Sequence, residues 1–177
     1  MHLTPIMEEY VLHWGEMETR WGGSVNRSVA QIHALLYLSP KPMPAEEIAE
    51  TLSIARSNVS TSLKELQSWG LARVAHTLGD RRNHFETDKD LWTLLLTNVE
   101  ERKRREIDPT LTMLRKCMLE AETDAETPAE IKVRIGNTLD FIDNLTSWYD
   151  QVKRIPKPTL IALMKLGGRI SSIMKLG

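Results

Sequence analysis

Two helices joined by a tight turn are predicted in residues 44–70, PAEEIAETLSIARSNVSTSLKELQSWG. Pro44 opens the first helix, which is short and carries two glutamates in its first turn. The second helix runs from Arg56 to about Trp69, and Gly70 ends it. Two helices in this order and spacing predict a helix–turn–helix unit.

The second helix of this unit has two chemically different faces. Its core face is formed by aliphatic residues at helical spacing, Val59, Leu63 and Leu66. The opposite side carries short hydroxyl and amide groups beside cations, which suits hydrogen bonding to base edges in a DNA major groove. The candidates for DNA contacts on this helix are Arg56, Ser57, Asn58, Ser60, Thr61 and Lys64. A solvated polar face without a ligand is the alternative.

A β-hairpin is predicted directly after this unit, with strands over residues 71–78 and 83–87. No other segment gives a convincing strand signal. The turn between the strands places two arginines at an exposed tip, where arginine is suited to enter a narrow minor groove. A helix–turn–helix unit followed by a hairpin is the winged-helix plan.

The hairpin supplies a second set of candidate DNA contacts. They are Arg73, Asp80, Arg81, Arg82 and His84. Asp80 would repel phosphate if it were unpaired, so we expect it to pair with Arg82 and fix the direction of that side chain. A plain surface turn is the alternative.

Helices are predicted on both sides of the winged helix, so the fold class is mainly helical with a small hairpin. We expect an N-terminal dimerisation helix in residues 1–24, the DNA-binding domain in 25–90, and a linker helix with a C-terminal helical region in 91–177. The second helix of the chain should begin at Ser24. Asp108-Pro109 should interrupt the linker helix, and a capping box over residues 127–130 should open the next helix. That helix carries an apolar seam typical of helix pairing, formed by Ile135, Thr138, Ile142, Leu145, Tyr149 and Val152.

Charge and composition exclude several classes of protein. The 177 residues have a net charge of -1, but residues 53–84 hold five basic residues against two acidic ones, and residues 151–177 hold six basic and no acidic residues. This pattern favours a localised anionic partner.

The lone cysteine, Cys117, excludes an internal disulfide and is expected to be a small buried residue. The longest apolar run, Leu160–Met164, is too short to cross a membrane. We expect a soluble, cytoplasmic protein.

No catalytic constellation is visible in the sequence. We find no nucleophile–base pair, paired carboxylates, glycine-rich phosphate loop or metal-ligand spacing. The sequence therefore indicates a protein that is not an enzyme and that needs no metal or cofactor.

Three segments resemble the GbsR branch of the MarR-like winged-helix transcriptional regulators. They are LSIARSNVSTSLKELQSWGLARV (52–74), GDRRNHFETDKDLW (79–92) and EERKRREIDPTL (100–111). The wing pattern Asp-x-Arg of that family falls on Asp80 and Arg82. The chain departs from the family at Ala55, where such helices usually begin with a serine or aspartate cap.

The resemblance implies a dimeric regulator of transcription. It implies a repressor or an activator that binds double-stranded DNA, and we expect a repressor. Two recognition helices in a dimer would read half-sites about one helical turn apart, so the operator should be a pseudo-palindrome. It also implies control of glycine betaine or compatible-solute genes, with choline or a related small molecule as effector. Four aromatic residues are candidates for holding such a cation: Trp14, Trp21, Trp148 and Tyr149.

Two other functions fit the same sequence. One is a winged-helix protein-interaction module that does not bind DNA, which agrees with the near-neutral net charge but not with the basic hairpin tip. The other is a solute-binding helical bundle with a degenerate DNA-binding domain. Core packing is the alternative for the aromatic residues.

Overall fold

The structure, a computed structural model, describes residues 1–22 and 26–174, with the side chains of residues 15, 17–22 and 167–174 left undescribed. The chain forms two compact units, residues 1–101 and 102–177. The helices are α1 Pro5–Gly22, α2 Arg27–Leu38, α3 Ala45–Leu52, α4 Arg56–Ser68, α5 Leu91–Arg102, α6 Asp108–Ala121, α7 Ala129–Val152 and α8 Lys157–Met174. The strands are β1 Met43–Pro44, β2 Arg73–Ala75 and β3 His84–Glu86. The predicted mainly helical winged helix–turn–helix is confirmed.

Helix α2 lies at the centre of the first unit. Its residues Ile32, Leu35 and Leu36 are completely or almost completely buried, and it packs against α1, α3 and α4. Asn26 caps this helix by accepting a hydrogen bond from the Ser28 amide at 3.1 Å. The prediction that α2 begins at Ser24 is therefore wrong, and Ser24 itself lies outside the described residues.

The sheet has three antiparallel strands in the order β1-β3-β2, and the predicted hairpin accounts for two of them. The short strand β1 pairs Met43 with Phe85 of β3. Sequence patterning could not show β1, because two residues cannot display alternation and Pro44 has no amide to donate to a ladder. Since β1 leads directly into α3, it ties the second wing strand to the helix–turn–helix unit.

The two wing strands are shorter than predicted. Leu71 and Ala72 do not join β2, because their amides donate to the carbonyl of Leu66 at 2.9 and 3.3 Å and complete the end of α4. Gly70 makes this ending possible with a φ of 65°. The predicted stop at Gly70 is confirmed, and the strand starts two residues later than we expected.

The turn between α3 and α4 contains a backbone conformation that is unfavourable for its residue. Ser53 has φ 53° and ψ 41°, the left-handed region, and within the described residues no other non-glycine residue has a positive φ. Its amide donates to the carbonyls of Ala49 and Glu50. These bonds end α3 and turn the chain sharply into α4.

In the second unit, α6 packs against α7. The predicted interruption at Asp108-Pro109 takes the form of a π-helical segment, Lys103–Ile107, with α6 beginning at Asp108. Cys117 on α6 is half-buried rather than fully buried, and its Sγ lies 3.6 Å from Sδ of Met113.

The predicted capping box at the start of α7 does not form. Pro128 occupies the cap position and makes no side-chain hydrogen bond to the helix. Instead, the Asp124 carboxylate accepts hydrogen bonds from the amides of Glu126 and Thr127, the first at 2.8 Å. The ammonium of Lys132 donates to the carbonyl of Ala121 at 2.7 Å, which satisfies the C-terminal end of α6.

Helix α7 has an open surface within its unit. Of the predicted apolar seam, Ile135, Ile142, Tyr149 and Val152 are half-buried, whereas Thr138 and Leu145 are exposed. None of the described residues of α7 is fully buried. Along the described part of the chain, no helix is long and apolar enough to span a membrane.

Candidate nucleic-acid interface

Helix α4 presents the two faces that its sequence predicts. Val59, Leu63 and Leu66 are 0%, 2% and 1% exposed and pack into the core. All six predicted contact residues of this helix are exposed, namely Arg56, Ser57, Asn58, Ser60, Thr61 and Lys64. The hydroxyl of Thr61 donates to the carbonyl of Ser57 at 3.1 Å. The core face is confirmed, and the polar face is exposed because the core holds the helix by its other side.

The N-terminal end of α4 carries an ion pair and has no side-chain cap. Ala55 occupies the cap position, and no side chain in the described part of the chain makes a capping hydrogen bond there. Arg56, the first helical residue, pairs through Nη2 with Oε1 of Glu46 on α3. A hydrogen bond from the amide of Glu46 itself and the charge of Arg56 lower the pKa of that carboxyl.

The wing tip is organised by one carboxylate. Asp80 follows Gly79, whose φ of 84° makes the turn. Asp80 Oδ1 accepts from the backbone amide and the Nε of Arg82 at 2.9 and 3.0 Å, and its Oδ2 accepts from Nη2 at 2.5 Å. The predicted pairing of Asp80 with Arg82 is confirmed. These hydrogen bonds lower the pKa of Asp80 well below its usual range and raise that of Arg82.

The wing arginine keeps donors available for a ligand. Arginine has five N–H groups in a rigid fork, and Asp80 engages only Nε and Nη2. The side chain of Arg82 is 56% exposed. The remaining N–H donors of Arg82 therefore face solvent, and the contacts with Asp80 set their direction.

The structure gives His84 a different role from a phosphate contact. The residue is 6% exposed, with Nδ1 3.0 Å from the carbonyl of Arg82 and Nε2 3.5 Å from Oδ2 of Asp80. A side chain buried in this way cannot reach a DNA backbone, so we assign His84 to support of the wing turn. Arg73 is exposed and donates through Nε to Glu86 across the β2–β3 ladder at 2.8 Å.

Two of the basic residues predicted to contact DNA have no acidic partner among the described side chains. Lys64 on α4 and Arg81 at the wing tip are both exposed, and neither pairs with an acidic group among the side chains that the structure describes. The first unit therefore carries a polar helix face, a fixed wing arginine and two unpaired cations.

Comparison with known proteins agrees with this geometry. Residues 25–83 match the model of the MarR family. The chain is 21% identical over 134 residues to the HTH-type transcriptional repressor GbsR of Bacillus subtilis (strain 168), which covers 74% of each chain. A crystal structure of a transcriptional regulator superimposes with a TM-score of 0.67 at 21% identity and covers 84% of this chain and 95% of that chain.

This chain is similar to transcriptional regulators of the MarR type. The resemblance to the GbsR branch indicated by the sequence is confirmed. The family and the similar proteins are transcriptional regulators, which are not enzymes.

Sequence reasoning missed residues that position the helix–turn–helix unit and the wing. The hydroxyl of buried Thr87 donates to the carbonyl of Leu71 at 2.6 Å, and the same oxygen lies 3.2 Å from Nε2 of His33. These two contacts link α2, the end of α4 and the wing. Lys89 donates to the carbonyl of Tyr37 at 2.9 Å and so satisfies the end of α2.

Glu46 was visible in the sequence merely as a first-turn acidic residue. Its partner is ten positions away, and helical spacing rules do not reach that far.

The four predicted effector residues lie in both units. Trp14 is half-buried and stacks on Tyr10 with ring centroids 5.5 Å apart, while the side chain of Trp21 lies outside the described residues. Trp148 is 60% exposed, and the ring of Tyr149 already has the ammonium of Lys153 5.5 Å from its centroid. That these residues form one cation site stays a prediction. Among the described side chains there is no cluster of three or more metal-ligating residues.

Proposed function

We propose that this protein is a sequence-specific DNA-binding repressor that acts as a homodimer on a pseudo-palindromic operator. Helix α4 would enter the major groove with its exposed polar face, and the wing would place Arg82 in or beside the adjacent minor groove. One observation carries the proposal: a solvent-exposed recognition face and a wing arginine held by Asp80 belong to the same compact unit.

The side chains on α4 fit two kinds of DNA contact. The amide of Asn58 matches the bidentate pattern that adenine presents in the major groove. Hydroxyls such as those of Ser57 and Thr61 hydrogen-bond to bases or phosphates without filling the groove. Lys64 supplies charge that attracts phosphate regardless of sequence. The expected result is an affinity that depends on both sequence and salt.

Helix α7 supports the proposed homodimer. Four large apolar residues on it are exposed and recur at helical spacing: Val133 (61%), Phe141 (67%), Leu145 (50%) and Trp148 (60%). A stripe of this size is costly to leave in water. A second copy with the same stripe would cover it, since a two-fold interface brings identical patches together. Two recognition helices would then read half-sites about one helical turn apart.

Fluorescence anisotropy tests the proposal. The purified chain is titrated into labelled DNA from upstream of its own gene and into a scrambled duplex, at several salt concentrations. We expect tighter binding to the upstream duplex, two chains per duplex and a steep salt dependence. Equal and weak binding to both duplexes would favour the protein-interaction module instead.

Asn58→Ala should weaken binding to the operator by about 1–3 kcal/mol and change binding to random DNA little, because a base contact exists only on the cognate sequence. Gln67→Ala removes an exposed amide from the same helix, outside the predicted contact face, and serves as the matched control. Anisotropy on both duplexes measures the difference. An equal loss on operator and random DNA would show that Asn58 does not read a base.

We also propose a choline-like effector, which rests on the resemblance to the GbsR branch and on the aromatic residues that could face a quaternary ammonium group. Tryptophan fluorescence is recorded while choline or glycine betaine is added across the millimolar range. A saturable change that is lost in Trp148→Leu would support a site at α7. A spectrum that stays constant with both solutes would contradict the effector proposal without affecting the DNA proposal.

A further inference from the structure

We propose that Glu46 acts as an intramolecular substitute for a DNA phosphate: it neutralises Arg56 in the free protein and so lowers the affinity and the salt dependence of DNA binding. This inference rests on the proposed binding of DNA by α4. It assigns to Glu46 the role of a positioning residue that acts through Arg56.

The helix–turn–helix geometry creates the pair. Glu46 lies in the first turn of α3, and Arg56 is the first residue of α4, the helix proposed to enter the groove. The tight turn at Ser53 brings these two helix starts together, so that Nη2 of Arg56 donates to Oε1 of Glu46. The carboxylate of Glu46 therefore engages the guanidinium group of Arg56 at the N-terminal end of α4.

The pair is exposed enough to be exchanged. The side chains of Arg56 and Glu46 are 68% and 39% exposed. Solvent-exposed ion pairs of this kind contribute little to folding stability. A phosphate that approaches Arg56 therefore competes with Glu46 for the same donors, and the pair opens without loss of the fold.

The same carboxylate also lies in the field of the wing. The charge of Arg82 contributes to the lowered pKa of Glu46, and the charge of Glu46 contributes to the raised pKa of Arg82. The neighbouring Glu47 lies in the field of Arg82 as well, but its carboxylate accepts a hydrogen bond from the Met1 amino group at 2.7 Å, whereas that of Glu46 pairs with Arg56. Glu46 is thus placed where its negative charge opposes phosphates that approach either the recognition helix or the wing.

This arrangement has a consequence for counterion release. A free cation that binds a phosphate displaces condensed counterions and steepens the salt dependence of binding by about 0.9 per phosphate. Arg56 is already neutralised by Glu46, so binding of a phosphate there exchanges one anion for another. The wild-type protein should therefore show a salt slope that lacks most of the contribution of Arg56.

The test compares Glu46→Gln with Glu50→Gln. Both variants remove one negative charge from α3, and Glu50 is exposed and takes no part in the described ion pairs. Anisotropy titrations on a random-sequence duplex are run between about 50 and 200 mM salt. We expect Glu46→Gln to bind about three- to tenfold more tightly at the lowest salt and to steepen the slope by about 0.9, whereas Glu50→Gln keeps the wild-type slope.

A double-mutant cycle shows whether the effect acts through Arg56. Arg56→Ala should change the slope little in the wild-type chain but should cancel the steeper slope in the Glu46→Gln chain. A Glu46→Gln slope equal to that of the wild type, or weaker binding by this variant, would overturn the inference. Failure of the wild-type chain to bind any duplex would instead overturn the proposed DNA-binding function, so the two failures are distinguishable.

Discussion

Arg82→Ala is expected to weaken binding to every DNA duplex, operator and random alike, by about tenfold to a hundredfold at low salt. The guanidinium is fixed at the wing tip by Asp80 and keeps donors directed into solvent. Because a wing contact with phosphate or with the minor-groove surface depends mainly on charge, its loss should affect all sequences similarly. The salt slope should become shallower by about one.

Two variants sharpen this test. Arg81→Ala removes the neighbouring exposed arginine, which Asp80 does not bind, and should have a smaller effect. Asp80→Asn removes the negative charge but keeps the size of the side chain, so it separates fixation of Arg82 from its charge. An Arg82→Ala chain that retains the wild-type salt slope would exclude the wing from the DNA contact.

Leu63→Ala is expected to lower the free energy of unfolding by about 2–5 kcal/mol, since it leaves a cavity in a core that cannot fully close. Leu63 is 2% exposed and anchors the middle of α4 among the residues around α2. The loss should appear as a lower midpoint in urea with little change in the slope of the transition.

The matched control for this substitution lies in the same unit. Leu78, near the wing tip, is fully exposed. Leu78→Ala removes the same atoms and should change stability by less than about 0.5 kcal/mol. Equal destabilisation by the two substitutions would contradict the assigned core. At temperatures where the Leu63→Ala chain remains folded, its DNA binding should resemble that of the wild type, because Leu63 faces away from the polar side of α4.

The helix–turn–helix unit and the wing could be predicted because their signals are local. Gly70 and Pro44 mark boundaries by backbone chemistry, and the spacing of Val59, Leu63 and Leu66 fixes which side of α4 is buried. The pairing of Asp80 with Arg82 was also within reach, since two residues of opposite charge on one turn have few other options.

The features that the sequence did not show depend on contacts between distant segments. Strand β1 exists because β3 pairs with it, not because its two residues favour a strand. His84 was predicted as a DNA contact, but its ring is buried between the carbonyl of Arg82 and the carboxylate of Asp80, which local sequence patterning does not show. The capping box does not form because Pro128 occupies the cap position, and the amide of Thr127 donates to the Asp124 carboxylate in the preceding loop.

The hold of Asp80 on Arg82 has a consequence for the entropy of recognition. A long arginine side chain normally samples many rotamers and loses that freedom when it makes a contact. Here the rotamers of Arg82 are restricted when the hairpin folds, before any ligand arrives. In the proposed complex, the wing would therefore present Arg82 in a preset orientation and lose little side-chain entropy on binding. A flexible basic arm would instead search for a contact after docking.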